Sequence, residues 1–548
     1  MTKRPNYPHT QSRRGFLKSA AAAAAFAGLS PLGSLLRGHA AAATPASPKM
    51  AKRLLFVFSA TGGGSLIDSF LATRESEMAS PEQAGEFFVY PDAFVKTYDD
   101  SPARALDLPV AYRAYLGLNT GYPYAMSQFT DKYRHDMAVL AVENTSVNHL
   151  VAQERAMNGQ GINDGRTIAE HIASVHGQSL LLPYVNMAAG GYLAAGTDPG
   201  LPSHGVAETV AAPAFFALGT DGMRGMLGAP GGQIGGAPSL GKELARGRAL
   251  LARARGVRNT LDAESLFAQT FQCSPLLKRY LNRRATTAQD VEDLELFNKL
   301  FMFADADLPS ISFSDFGIEE NADALAAREL ITSYPDDPEK KMNILYDPQV
   351  SQVMLAYLLA KNGYTAASVF GPSFSPNPFI LGEQPPIAFD YSHNNHVATQ
   401  NVMWNRILDL TDKLIQLLKT TPTGEGDTMW DRSLIYIATD FGRDKRRTEP
   451  GKPLYTVYQD PVTGNFLPNT HNTGHHLNNG SVLISPLIKP GVFGAVDKNT
   501  LLTHGFNRTT GVADPAETIR IGDVYSVIAN ALDAPFADMI DIPALVPG

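Results

Sequence analysis

Between Pro386 and Gly480 an apolar or β-branched run repeatedly stops at a cluster of carboxylates, histidines and small residues. Ile387-Ala388-Phe389 runs into Asp390-Tyr391-Ser392-His393-Asn394-Asn395-His396, and Leu434-Ile435-Tyr436-Ile437-Ala438 runs into Thr439-Asp440-Phe441-Gly442-Arg443. A third cluster, His471-Asn472-Thr473-Gly474-His475-His476, lies on a later loop. Runs without polar alternation read as strands covered on both faces, the mark of a mainly parallel sheet between helical layers. Asp390 and Asp440 are then expected at the carboxyl ends of strands, where open α/β sheets place their ligand sites. Of the chain's 13 histidines, His393, His396, His471, His475 and His476 fall in this one segment. Imidazoles and carboxylates brought together there would suit a divalent cation, since both offer lone pairs without redox chemistry.

The rest of the chain supports the same architecture. Arg53-Leu54-Leu55-Phe56-Val57-Phe58 predicts a buried first strand, ending in the turn Thr61-Gly62-Gly63-Gly64-Ser65. Such a turn lets backbone amides approach a ligand, but its spacing matches no P-loop or dinucleotide fingerprint. Met137 to Val142 predicts a second strand leading to His149, which reads more readily as a capping histidine than as a ligand. Arg166 to Val175 reads as a helix with a structural His171, and Leu182 to Met187 as a strand. A Gly/Ala/Pro-rich tract follows to about Ser239. Residues 241–304 change style, with Leu and Ala at helical spacing among many charges, and are expected to form a helical insertion. The arginines there (Arg246, Arg248, Arg253, Arg255, Arg258) read as a solvated helix face.

Val350 to Lys361 predicts a helix and Ala366 to Phe370 a strand. Thr399 to Leu418 is the clearest helix, with Met403, Ile407, Leu410, Leu414 and Leu417 on one stripe and Arg406, Asp412 and Lys413 off it. It makes a βαβ step to the strand before Asp440. Strand Val482-Leu483-Ile484 and a helix from Asp523 to Leu532 close the domain, which is expected to span residues 53–548.

The amino terminus predicts where the protein works. Arg13-Arg14-Gly15-Phe16-Leu17-Lys18 precedes an alanine-rich apolar run from Ala20 to Leu36 and the small residues Ala40-Ala41-Ala42. Paired arginines, a short apolar stretch and small residues form a twin-arginine export signal over residues 1–42, with a tether over 43–52. The expected partner is the twin-arginine export machinery and the expected location periplasmic or secreted. No other stretch is long and apolar enough to cross a bilayer, so the mature chain is expected to have no transmembrane segment. Residues 1–42 carry Lys3, Arg4, Arg13, Arg14, Lys18 and Arg37 and no acid, so their removal leaves a chain more acidic than the full chain's −8. An acidic protein is ill suited to nucleic acid. The single cysteine, Cys273, excludes an intrachain disulfide.

The candidate metal ligands are Asp390, His393, His396, Asp440, His475 and His476. Asp440 has a second role open to it, accepting a hydrogen bond from a ligating imidazole. Each also has a plain reading: a cap, a strand-end carboxylate paired with Arg443, or surface histidines. Thr61 and Ser65 are the candidate nucleophiles and Arg443 the candidate anion contact.

Taken together, the twin-arginine signal, the first strand with its glycine turn, the Asp390-to-His393 element before a long helix, Thr439-Asp440-Phe441-Gly442-Arg443 and the late histidine loop resemble the exported family of unknown function DUF 1501. The resemblance is strongest from Phe389 to Gly494. It implies an alkaline phosphatase/sulfatase-like α/β fold with metals held by Asp and His at strand ends. Two departures stand out: Asp390 and His393 are one residue further apart than the family's Asp-x-His, and Thr473-Gly474-His475-His476 lacks the acid of its Thr-Asp-His-Gly. Residues 59 to 67 also lack the acid that the superfamily's hydrolases carry there, and Asp68 is the nearest carboxylate. The implied function is a metal-dependent hydrolase acting on phosphate or sulfate esters, with zinc, manganese and calcium all admitted. The alternative is a catalytically degenerate cell-envelope binding or assembly protein with at most a structural metal.

Overall fold

The computed structural model describes residues 50–109, 124–180, 183–188, 190–209, 348–361, 363–371, 389–393, 396–459 and 466–547. The expected export signal, most of the tether, the helical insertion with its arginines, Cys273 and the Ile387-Ala388 run lie outside these residues.

Ten strands position the site: β1 (Leu54–Ala60), β2 (Met137–Glu143), β3 (Tyr184–Asn186), β4 (Glu208–Thr209), β5 (Ala367–Phe370), β6 (Ser433–Thr439), β7 (Gly442–Arg443), β8 (His475–His476), β9 (Asn478–Ile484) and β10 (Gly491–Phe493). Eight of them form one sheet in the order β10-β2-β9-β6-β1-β5-β3-β4. β1 pairs in parallel with β5 and β6, and β3 with β4 and β5. β10 pairs in parallel with β2, while β9 runs antiparallel between β2 and β6. The sheet is therefore mixed and mostly parallel, with β9 as its one reversed strand.

The apolar runs work as their lack of alternation implies. Every residue of β1 is buried. Leu54, Phe56, Phe58 and Ala60 enter the core on one face, and Leu55 and Val57 the core on the other. The first core is covered by helices α3 (Pro348–Lys361) and α4 (His396–Thr420). The second is covered by α1 (His149–Asn158), α2 (Ile168–His176) and α5 (Ile521–Ala531). Helices on both faces of a mostly parallel sheet make this an α/β fold.

The charged positions of α4 off its apolar stripe are buried: Arg406, Asp412 and Lys413 are each at most 9% exposed. Asp412 is held by Tyr124 Oη at 2.9 Å, Tyr133 Oη at 2.7 Å and Lys132 Nζ at 2.6 Å, and Lys413 pairs with Asp409 one turn away. Distant hydroxyls make burial of that carboxylate tolerable. One expectation needs correction: Asp390 does not directly follow a strand residue. It lies in a short 3-10 turn, Phe389–His393, pinned beside β1 because Phe389 N donates to Thr61 O at 2.9 Å.

Candidate metal centre

The site forms at the carboxyl edge of the sheet, where the segments after β1, β2 and β6 meet the Phe389–His393 turn and β8. The glycine turn after β1 is the floor. Gly62 and Gly63 adopt φ of +93° and +86°, a region that penalises any side chain. A Cβ on Gly62 would lie 2.3 Å from Asp390 N, so the Asp390 turn closes on bare backbone.

Over this floor, His149, Asp390, His393 and His475 place one ligand atom each within 4.8 Å of one another. Asp390 Oδ1 is the hub, 3.1 Å from His149 Nε2, 3.4 Å from His393 Nε2 and 3.8 Å from His475 Nε2. The Nε2 atoms of His393 and His475 approach to 2.7 Å. Around a cation with bonds of about 2.0–2.1 Å, tetrahedral donors stand about 3.3 Å apart, close to this spacing.

The outer ring atoms fix the tautomers. His149 Nδ1 lies 3.3 Å from Asp440 Oδ2, and His475 Nδ1 lies 2.8 Å from Val147 O. Both partners only accept, so each Nδ1 carries the proton and each Nε2 turns a lone pair inward. Lone pairs facing one another and a carboxylate repel unless a positive charge sits among them. Without a metal, a proton takes that role. Burial works against charge on His149, but its bonds to Asp390 and Asp440 outweigh it and raise its pKa to about 9. Burial would raise the Asp390 carboxyl, yet His149, His475 and Arg443 hold it far below the usual carboxylate range. His393 is lowered, by burial and by the Arg443 charge. The donor set of three imidazoles and one carboxylate fits a divalent metal ion.

Asp440 stands behind this centre. Fully buried, its carboxylate accepts from Gly62 N at 3.0 Å, Gly63 N at 2.7 Å, Gln153 Nε2 at 3.1 Å and Phe441 N at 3.2 Å, besides facing His149. These donors occupy its lone pairs, and toward the four-residue cluster it faces the outer nitrogen of His149, the geometry of the second of its two expected roles. Phe441 stacks on His475 at 4.1 Å between centroids and lies edge-on to His149 at 4.7 Å.

The remaining sequence candidates sit elsewhere. His396 is buried away from the four donors, with Nε2 3.1 Å from Asp68 Oδ1 and Nδ1 3.1 Å from Thr473 Oγ1. His476 faces away from His475 because neighbouring strand residues point to opposite sides, and its Nδ1 accepts from Asn478 N at 3.0 Å. Thr61 and Ser65 are fully buried; Thr61 Oγ1 donates to Ser59 Oγ at 3.3 Å. The Arg443 side chain is likewise buried, and its guanidinium binds Gly62 O, Phe389 O at 3.3 Å and Asp390 Oδ1 at 3.1 Å. It clamps the floor to the Asp390 turn and offers no open face to an anion.

The residue that sequence reasoning undervalued is His149. The cap of α1 is Asn148, whose side chain accepts from Val151 N, which frees His149 to turn inward. The available clue was its place just past β2, the same rule that singled out Asp440.

No family model and no curated protein matches this chain.

Proposed function

We propose that the protein is an exported metal-dependent hydrolase of alkaline phosphatase-like architecture, with its cation held by His149, Asp390, His393 and His475. The observation that carries this reading is the convergence of three Nε2 atoms on Asp390 Oδ1 while Asp440 and Val147 O take the outer nitrogens of His149 and His475. Outer partners of this kind fix the ring and raise the basicity of a ligating histidine. Three imidazoles favour zinc or another borderline transition metal over manganese and calcium, which prefer oxygen donors. The resemblance to DUF 1501 and the amino-terminal arginine pair support export by the twin-arginine route and a periplasmic or secreted location.

A cation held by His149, Asp390, His393 and His475 would supply Lewis acidity toward an ester oxygen or a water. The chain's own residues do the rest. His393, with its side chain 41% exposed, lies at the open side of the centre, whereas Asp440 closes the back. Phe441 packs against two of the rings and keeps water from their faces. With Thr61 and Ser65 enclosed, the attacking group is water and not a side-chain hydroxyl; phosphate and sulfate esters are the substrates to try first. The test is elemental analysis of protein purified without chelator or metal resin, followed by ester turnover of wild type and His149→Ala. Absence of stoichiometric metal from the wild type would sink the reading.

The same enclosed hydroxyls and the occupied Arg443 favour one second reading, a binding or assembly protein with a structural metal. Bound metal without turnover of any ester would decide for it.

A further inference from the structure

His393 and His475 belong to segments far apart in the chain, yet their ring nitrogens meet at 2.7 Å. A short set of buried hydrogen bonds behind them joins the two segments. Ser392, next to His393, offers its carbonyl oxygen to Thr473 N at 3.0 Å and to Thr473 Oγ1 at 3.2 Å. Thr473 stands two residues before His475. Its hydroxyl also meets His396 Nδ1 at 3.1 Å, and His396 Nε2 reaches Asp68 Oδ1 at 3.1 Å. His396 N donates to His471 O at 2.9 Å, closing the seam from the other side. Gln400 Nε2 holds Ser392 Oγ at 3.0 Å and Gly63 O at 2.9 Å, tying the seam to the glycine floor.

Ser392, His396, Gln400, Thr473 and Asp68 are all at most 3% exposed, and neither His396 nor Asp68 belongs to the four-residue centre. Polar side chains are costly to bury, and five in one seam need a reason beyond filling space. Resting on the metal reading above, we infer that Thr473 and His396 are positioning residues: they set the separation of His393 and His475 and so tune how tightly the centre holds its cation. Asp68 anchors His396, which gives this carboxylate after the first strand a role as brace for an imidazole. Thr473 is the joint, because its hydroxyl touches both the Ser392 carbonyl and the His396 ring.

The experiment uses the full chain, cobalt(II) as the metal probe, and the variants Thr473→Val and Thr473→Ser. Valine keeps the shape and the backbone bond to Ser392 O but removes both side-chain contacts. The metal-free Thr473→Val protein is expected to melt within about 3 °C of wild type, since two buried side-chain hydrogen bonds are a small part of a large fold. Its cobalt affinity, by chelator competition, is expected to fall on the order of ten-fold with an altered visible absorption spectrum, the usual size of an outer-partner effect. Thr473→Ser restores both. Cobalt affinity within about two-fold of wild type, with an unchanged spectrum, overturns the inference while leaving the metal centre standing. Loss of affinity that tracks loss of melting temperature, and that serine fails to rescue, also overturns it, because the seam is then only structural. A wild type that binds no cobalt removes the metal reading and this inference together.

Discussion

His149 Nδ1 and Asp440 Oδ2 lie 3.3 Å apart, joining the first residue of α1 to the carboxylate after β6 across 291 positions of sequence. The pair aims one imidazole at the centre while keeping the carboxylate out of it.

Asp440→Asn should therefore weaken metal binding about 10- to 100-fold without removing any ligand. The amide must present an NH2 group where the carboxylate now accepts from Gly62, Gly63, Gln153 and His149. Chelator-competition titration measures the change, and an affinity equal to wild type would falsify the orienting role.

Adjacent histidines should behave differently. His475→Ala, which removes an inward Nε2, is expected to lose stoichiometric metal after desalting, whereas His476→Ala should retain it, its ring being bonded to Asn478 N instead. Elemental analysis separates the two; equal losses would mean that the strand presents both rings to one cation.

Gly62→Ala should cost at least about 2 kcal/mol of stability, from a side chain in the left-handed region and a clash with the Asp390 backbone. A shifted urea midpoint is the readout. An unchanged midpoint would show that the Asp390 turn moves aside cheaply.

Two histidines far from the centre predict a pH dependence. Burial lowers the pKa of His171 and of His176 from 6.5, although each bonds a backbone oxygen, Ala534 O at 2.7 Å and Leu532 O at 2.6 Å. Below pH 6.5 the unfolded chain takes up these protons first. Their stabilising contribution is thus complete above that pH and is lost as pH falls toward the folded values. Urea unfolding of wild type and His171→Gln from pH 7.5 to 5 is the check: the variant should lose less stability on acidification, and parallel curves would reject the assignment.

The sheet was legible where the chain carries unbroken apolar runs, as in β1, β2 and β6, because strands covered on both faces need no alternation. The length of α4 was legible from its stripe, but its burial was not. Nothing near Asp412 announces Tyr124 and Tyr133 as partners. At the centre, Asp390, His393 and His475 stood out as clusters, whereas His149 has no polar neighbour of the right kind in sequence and meets the others only when β2 takes its place in the sheet. The choice between His475 and His476 depends on how β8 pairs with β7, opposite Arg443 and Gly442, a register that local composition does not encode.

β9 gives the molecule an order of assembly. Among the described strands of the sheet it alone is reversed, and it bridges β2 and β6, which share no other neighbour in the sheet order. His475 stands three residues ahead of it, and His149 and Asp390 come from opposite sides of the gap it fills. A nascent chain that stops short of residues 478–484 carries all four donors of the candidate centre but not the strand that joins the two sides holding them. The four donors share one site only once β9 has joined the two sides that carry them, so a cation that needs all four would be seated late, on strands already paired.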